Sequence, residues 1–294
     1  MNIKNYFHYI LFALSFLLLT LSSCRERIDI HTDDSPPRLV IYGYITTDTI
    51  QHAIRITRST GYFVTTKPEG ISQAAVSISS DDGTVFPLTE SPGDPGLYLT
   101  SPDVYGIPGR TYTLHASLDF YGDGVTRDYE ASSYLPFPAT LDSAAISPSP
   151  ALDDFLQVLI WGNLPEESSN NFSIHLFRND TLVNDSLRGF QIFQDDYVVN
   201  KHFEAIPAFM LDQKDDDEKL SHGDSLTVQM ESVTSDYATF IQNAQQELFG
   251  SVPLFAGPPA NVETNIRCLS SDPKPEISGF FTAYSKHSVS TIYK

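Results

Sequence analysis

Few side chains in this sequence have the type and spacing to do chemistry, and Cys24 comes first among them. It closes the run Leu21-Ser22-Ser23-Cys24, directly after the apolar stretch Ile10 to Leu19 and a start that carries Lys4. A short basic start, an apolar core of this length and small residues before a cysteine describe an export signal rather than a fold element. The apolar run is shorter than the roughly 20 residues a membrane span needs. If Cys24 is itself modified on export, the second cysteine, Cys268, has no partner within the chain. In an oxidising compartment a lone thiol is best kept buried as a small apolar group. Catalysis by Cys268 would need a basic neighbour to lower its pKa. Arg267 is adjacent, but no histidine lies nearby in sequence.

The remaining candidates are carboxylates, imidazoles and hydroxyls. Asp215-Asp216-Asp217-Glu218, after Asp212, could offer hard oxygen ligands to Ca²⁺. The run lacks the glycine and terminal glutamate offsets of an EF-hand, so a solvated loop between strands is the expectation. Asp119 to Asp128 is explained by a hairpin turn centred on Gly122-Asp123-Gly124. His31, His52, His115, His175, His202, His222 and His287 show no close metal-ligand spacing. There is no H-E-x-x-H, G-x-S-x-G, phosphate-cradling glycine loop or paired-cysteine zinc pattern. No catalytic residue, metal ligand or cofactor is therefore assigned.

The segment ending in Cys24 resembles the lipobox of bacterial lipoproteins, in which the cysteine is acylated and becomes the new N-terminus. That resemblance implies an exported protein tethered by lipid at residue 24. Several acyl chains on one cysteine anchor firmly where one does not. Five tripeptides share a second pattern: Asp48-Thr49-Ile50, Asp142-Ser143-Ala144, Asp180-Thr181-Leu182, Asp185-Ser186-Leu187 and Asp224-Ser225-Leu226. They resemble the Asp-Ser/Thr-aliphatic acceptor of periplasmic O-glycosylation in Bacteroidota, which makes Thr49, Ser143, Thr181, Ser186 and Ser225 candidate acceptors. The alternative is that such pairs start strands after turns, where their side chains bond nearby backbone.

Bulk properties narrow the partners. The formal net charge is −19, and removing residues 1–23 with Lys4 makes it one unit more negative. Such a surface argues against nucleic acid, whose phosphates must be met by Lys and Arg. It also argues against lying flat on an anionic leaflet. About 270 mature residues suffice for one large or two medium domains.

The elements that would position these groups are mostly strands. Residues 24–37 are a polar tether ending in Pro36-Pro37. From 38 to 138, short β-prone runs punctuated by turns predict an immunoglobulin-like or transthyretin-like sandwich: Leu39–Ile45, Ala53–Arg58, Val76–Ser79, Val85–Leu88, Leu97–Leu99, Tyr112–Leu118 and Thr126–Tyr134. Leu135-Pro136-Phe137-Pro138 marks a boundary. From 139 to 294 the pattern predicts a second β-rich sandwich or barrel-like domain. Its strands fall at Leu141–Ile146, Phe155–Trp161, Asn171–Phe177, Phe190–Phe193 and Ser225–Met230, with His175 facing away from Phe172, Ile174 and Leu176. One amphipathic helix is expected near 236–249, capped by Ser235 and ended by Gly250, with Tyr237, Phe240, Ile241, Ala244 and Leu248 on one stripe. Ile277–Tyr284 and a separate final strand, Ser288–Tyr293, complete the chain.

In their order, these segments resemble the domain-of-unknown-function 4249 family of Bacteroidota lipoproteins. The resemblance rests on Leu39-Val40-Ile41-Tyr42-Gly43-Tyr44-Ile45, Ile54-Arg55-Ile56-Thr57-Arg58-Ser59, Ala74-Ala75-Val76-Ser77-Ile78 and Pro108-Gly109-Arg110-Thr111-Tyr112-Thr113-Leu114. It continues in Glu231-Ser232-Val233-Thr234-Ser235-Asp236-Tyr237, Asn265-Ile266 and Gly279-Phe280-Phe281. The family's glycine-rich approach to the Asn-Ile pair is kept only in part, as Phe255-Ala256-Gly257-Pro258-Pro259. Members often stand beside genes for TonB-dependent transporters. The resemblance implies an outer-membrane lipoprotein, facing periplasm or cell surface, with a transporter as the candidate partner, but the family has no established activity. The lipid anchor, the two-part β architecture and the absent catalytic constellation together give the leading expectation, a non-catalytic ligand- or partner-binding accessory. A cell-surface structural or adhesive protein and an exported hydrolase are the alternatives.

Overall fold

The computed structural model describes residues 36–61, 64, 66–166, 171–195, 198–249, 262–270 and 276–294. Cys24, the export segment, Gly250 and Phe255–Pro259 lie outside these residues. Pro37–Lys294 form a compact unit.

The protein is mostly β. Seven strands build the first half: β1 (Leu39–Thr46), β2 (Ala53–Arg58), β3 (Ala75–Ser80), β4 (Val85–Glu90), β5 (Leu97–Leu99), β6 (Thr111–Leu118) and β7 (Arg127–Tyr134). All neighbours along the order β1-β2-β5-β4-β3-β6-β7 pair antiparallel. β4 pairs with β5 on one side and β3 on the other, so it turns the sheet over and closes a sandwich along one edge. Alternation does the rest, because successive side chains point to opposite faces. In β6, Tyr112, Leu114, Ala116 and Leu118 are buried while Thr111, Thr113, His115 and Ser117 are not. They meet Ile41, Ile45, Ile54 and Ile56 from the facing layer.

The second half contains β8 (Thr140–Pro148), β9 (Phe155–Asn163), β10 (Asn171–Arg178), β11 (Thr181–Leu182), β12 (Gln191–Gln194), β13 (His202–Asp212), β14 (Ser225–Val233) and a helix, α1 (Ser235–Phe249). The return of the chain adds β15 (Arg267–Cys268), β16 (Ile277–Ser278) and β17 (Phe281–Ile292). A three-stranded sheet, β13-β9-β8, faces β10 and β14 across a core that includes Val158, Ile160, Phe209, Phe172, Leu176 and Val228.

The C-terminal return joins the halves. β17 runs parallel to β1 from Gly43↔Phe281 to Thr46↔Tyr284, then antiparallel to β14 from Ser232↔Ser285 to Ser225↔Ile292. β15 pairs with β7. A division at residue 138 therefore describes the outward path of the chain and not its return: Ile266, Phe281 and Ala283 belong to the first core. The expected break between Tyr284 and Ser288 is absent. Lys286 and His287 have protein partners there, with Lys286 Nζ 2.5 Å from Asp48 and the Leu141 N–H donating to His287 Nδ1 at 3.1 Å. Before β17, Gly279 has φ +98°, and a Cβ there would stand 2.1 Å from the Ile41 carbonyl oxygen, so this close approach requires glycine.

Two further differences have local causes. β13 was not expected, because bulges between Phe203 and Ile206 and between Pro207 and Phe209, with Ala205 at φ +52°, break its period of two. The helix is capped by Thr234 rather than Ser235: the Tyr237 N–H donates to Thr234 Oγ1 at 3.3 Å. Ser235 lies within the helix, and its hydroxyl accepts from Asn171 Nδ2. The helix lies over the outer face of the β10-β14 sheet, with Tyr237, Ala238 and Ile241 buried against Val233 and Phe280.

Candidate functional site

Most residues picked out by sequence do not converge. Thr49, Ser143, Thr181 and Ser186 are exposed and Ser225 is half-buried, so these acceptor candidates are spread over the surface. Asp224 is used locally, accepting from the Ser221 N–H and Asn179 Nδ2. The acidic run lies between β13 and β14. Its carboxylates cap the turn: Asp212 accepts from the Lys214 N–H, Asp215 from the Asp217 N–H and Glu218 from the Asp212 N–H. Asp119 likewise accepts from the N–H groups of Gly122, Asp123 and Gly124 inside the β6–β7 hairpin. No group of three metal-ligating side chains occurs among the described residues. Cys268 is half-buried rather than fully buried, because two-residue β15 sits at the sheet edge beside β7.

Sequence reasoning missed a buried polar cluster under α1. β10 and β14 turn Phe172, Ile174, Leu176, Val228 and Met230 inward, which leaves Ser173, His175, Gln229 and Glu231 on the outer face. That face would be wet in a two-layer sandwich. Here α1 and residues 187–192 cover it, with Phe190 edge-on to the His175 ring. His175 and Glu231 are 5% and 6% exposed. Ser173 Oγ and Glu231 Oε2 lie 3.0 and 3.3 Å from the same ring nitrogen, His175 Nε2, and Gln229 Nε2 donates to Glu231 Oε1 at 2.9 Å. A serine nucleophile with a relay would need hydroxyl and carboxylate on opposite ring nitrogens. The two share one nitrogen here, and Nδ1 is buried with no partner among the described residues. The cluster therefore has the geometry of a structural network.

Tyrosines extend this face. Tyr42 and Tyr237 hydroxyls are 3.2 Å apart. Burial pushes Tyr237 and Tyr284 well above the usual phenol range, and the Glu231 charge adds to it. Burial also raises Tyr42, whose hydroxyl is the enclosed end of a ring that reaches solvent. These phenols stay neutral donors and are not poised for proton transfer near neutral pH.

The strongest candidate for binding is an open groove of about 440 Å³ at one end of the first sandwich. Antiparallel pairing places the 81–84 turn, the segment after β5 and the end of β1 together at this end, with Leu39 at the other. β5 is three residues long, so it pairs with Thr89 and Glu90 of β4 and leaves the start of β4 without a strand on that side. Phe86 and Pro87 form one wall; Val104, Tyr105 and Ile107 form the other. Pro87 has no N–H, which disfavours an added strand along this edge. Tyr105 and Ile107 are 51% and 43% exposed, and Ile50, whose N–H donates to the Val104 carbonyl, is exposed beside them. The rim carries Asp82 and Asp103. Asp82 shares Arg110 with Asp81, whereas Asp103 forms no ion pair among the described residues. A hydrogen bond from Ser101 holds the Asp103 carboxyl below its ordinary range, so it is charged near neutral pH.

This fold and surface define a mostly-β, double-sandwich protein with a buried polar cluster under its helix and an apolar groove open to solvent. The chain belongs to the family described as Domain of unknown function (DUF4249), whose model matches residues 25–290. No curated protein matches it.

Proposed function

We propose that the protein is a non-catalytic outer-membrane lipoprotein, anchored through Cys24, that binds a partner as an accessory to a TonB-dependent transporter. The groove between β4 and the segment 101–107 carries this reading, because an open apolar surface with a charged rim is a recognition feature. The lipobox-like Leu21-Ser22-Ser23-Cys24 supports the anchor. Replacing Cys24 with alanine should abolish incorporation of labelled palmitate and move the protein out of the membrane fraction. Crosslinking in intact cells, followed by purification in mild detergent, should recover a TonB-dependent transporter. Repeated absence of any transporter with crosslinker present would contradict the accessory role. Assembly of the purified protein into large homogeneous complexes would instead indicate a structural or adhesive protein.

A further inference from the structure

We propose that the groove beside β4 receives a lysine- or arginine-bearing apolar segment of the partner protein. This rests on the accessory reading and names the chemistry of its contact. The floor and walls, Phe86, Pro87, Val104 and Ile107, suit the methylene stem of a long cationic side chain. Asp103 and Tyr105 stand at the mouth, two residues apart on one segment. The first supplies a carboxylate with no ion pair among the described residues, and the second an exposed aromatic face for a cation. The rim is net acidic even after Arg110 is counted, since that one guanidinium is shared by Asp81 and Asp82. The chain as a whole carries −19, which steers a basic segment toward it and repels an acidic one. An extended strand is a poor occupant because Pro87 removes a donor from the edge. Insertion of a side chain is the mode the geometry favours.

The test uses the full mature chain in mild detergent and a fluorescently labelled peptide of alternating leucine and arginine, with its leucine–citrulline counterpart as the neutral probe. Polarisation should show binding of the arginine peptide, weaker at high salt, and at least tenfold weaker or absent binding of the citrulline peptide. Asp103→Asn and Tyr105→Ala should each weaken binding about two- to fivefold, and Asp103→Lys more. The triple variant Asp215→Asn/Asp216→Asn/Asp217→Asn removes more charge, but from the β13–β14 loop, and should bind like the parent. Weakening by the triple variant equal to that of Asp103→Asn, or no effect of Asp103→Asn, overturns the assignment, because binding is then unspecific attraction. Preference for the citrulline peptide, or dimerisation lost in Tyr105→Ala, also overturns it in favour of a neutral ligand or a second copy. Near-ultraviolet circular dichroism of each variant separates lost binding from lost fold. If the peptide results fail while a transporter is still crosslinked in cells, the groove assignment falls and the accessory reading stands. If no transporter is crosslinked, the accessory reading falls as well.

Discussion

The two halves solve the same packing problem differently. In the first, β3 and β6 turn Val76, Ile78, Tyr112, Leu114, Ala116 and Leu118 inward, and their outer rows, Ser77 and Ser79 on one and Thr113, His115 and Ser117 on the other, stay accessible. In the second, the sheet of β10 and β14 is covered on both faces: β8, β9 and β13 pack on one, α1 and residues 187–192 on the other. Polar side chains that alternation places outside are thus buried, and they are tolerated because they bond one another. A histidine and a glutamate close together in such a place signal burial of a sheet face before they signal catalysis.

The comparison can be broken most forcefully at the strand the halves share. Phe281 is fully buried in the first core but begins the strand that continues into the second. Phe281→Ala should cost about 3–5 kcal/mol and lower the stability of both halves in a single transition. Two separated transitions in calorimetry would show that β17 does not couple them. The covered polar face comes next. Glu231→Leu alone should cost about 1–3 kcal/mol, because Gln229 and His175 lose their acceptor. The double variant His175→Leu/Glu231→Leu should cost less than the sum of the two single changes, since a mutually bonded buried pair is removed together. Denaturant midpoints of the three variants measure that coupling.

How far this contrast could be read from sequence depended on periodicity. β2 and β6 were legible because nothing interrupts their alternation. The outward direction of His175 was legible too, but what covers it was not: burial of that face comes from α1 and Phe190, which are distant in sequence. β13 was hidden by its bulges and Pro207, and the continuity of β17 by Ser285-Lys286-His287-Ser288, of which Lys286 and His287 find partners across the join. The groove could not be read because it arises where short β5 stops pairing with β4, a matter of strand ends and not of motif.

Smaller effects sharpen the contrast. Thr234→Ala should cost about 1 kcal/mol and expose the covered face, with Ser235→Ala costing less, as judged by thermal melting. Acid should act more on the first half than on the second, where Asp224, lowered chiefly by the Ser221 N–H, stands at the end of the β10-β14 pair. A hydrogen bond and ion pair with Arg127 hold Asp123 down at about 2, and Arg55 and Lys67 hold Asp94 well below its ordinary range. Asp81, Asp82 and Glu90 are also lowered, chiefly by backbone N–H donors. A carboxylate whose folded pKa is depressed contributes stability above its unfolded value and loses it as pH falls through the folded one. Hydrogen exchange, corrected for intrinsic rates, should therefore show protection in β2 to β7 declining between about pH 4 and 2, ahead of β10 and β14. The decline should be slight at each site, because these carboxylates are solvent-exposed and screened.

The accessory role is tested most directly by a photocrosslinking residue placed at Tyr105 in living cells, with the same residue at exposed Leu152 in the second half as the control. Irradiation should join the Tyr105 position, and not the Leu152 position, to a TonB-dependent transporter. No adduct at Tyr105, or equal adducts at both positions, would contradict the groove as the contact proposed for the accessory role.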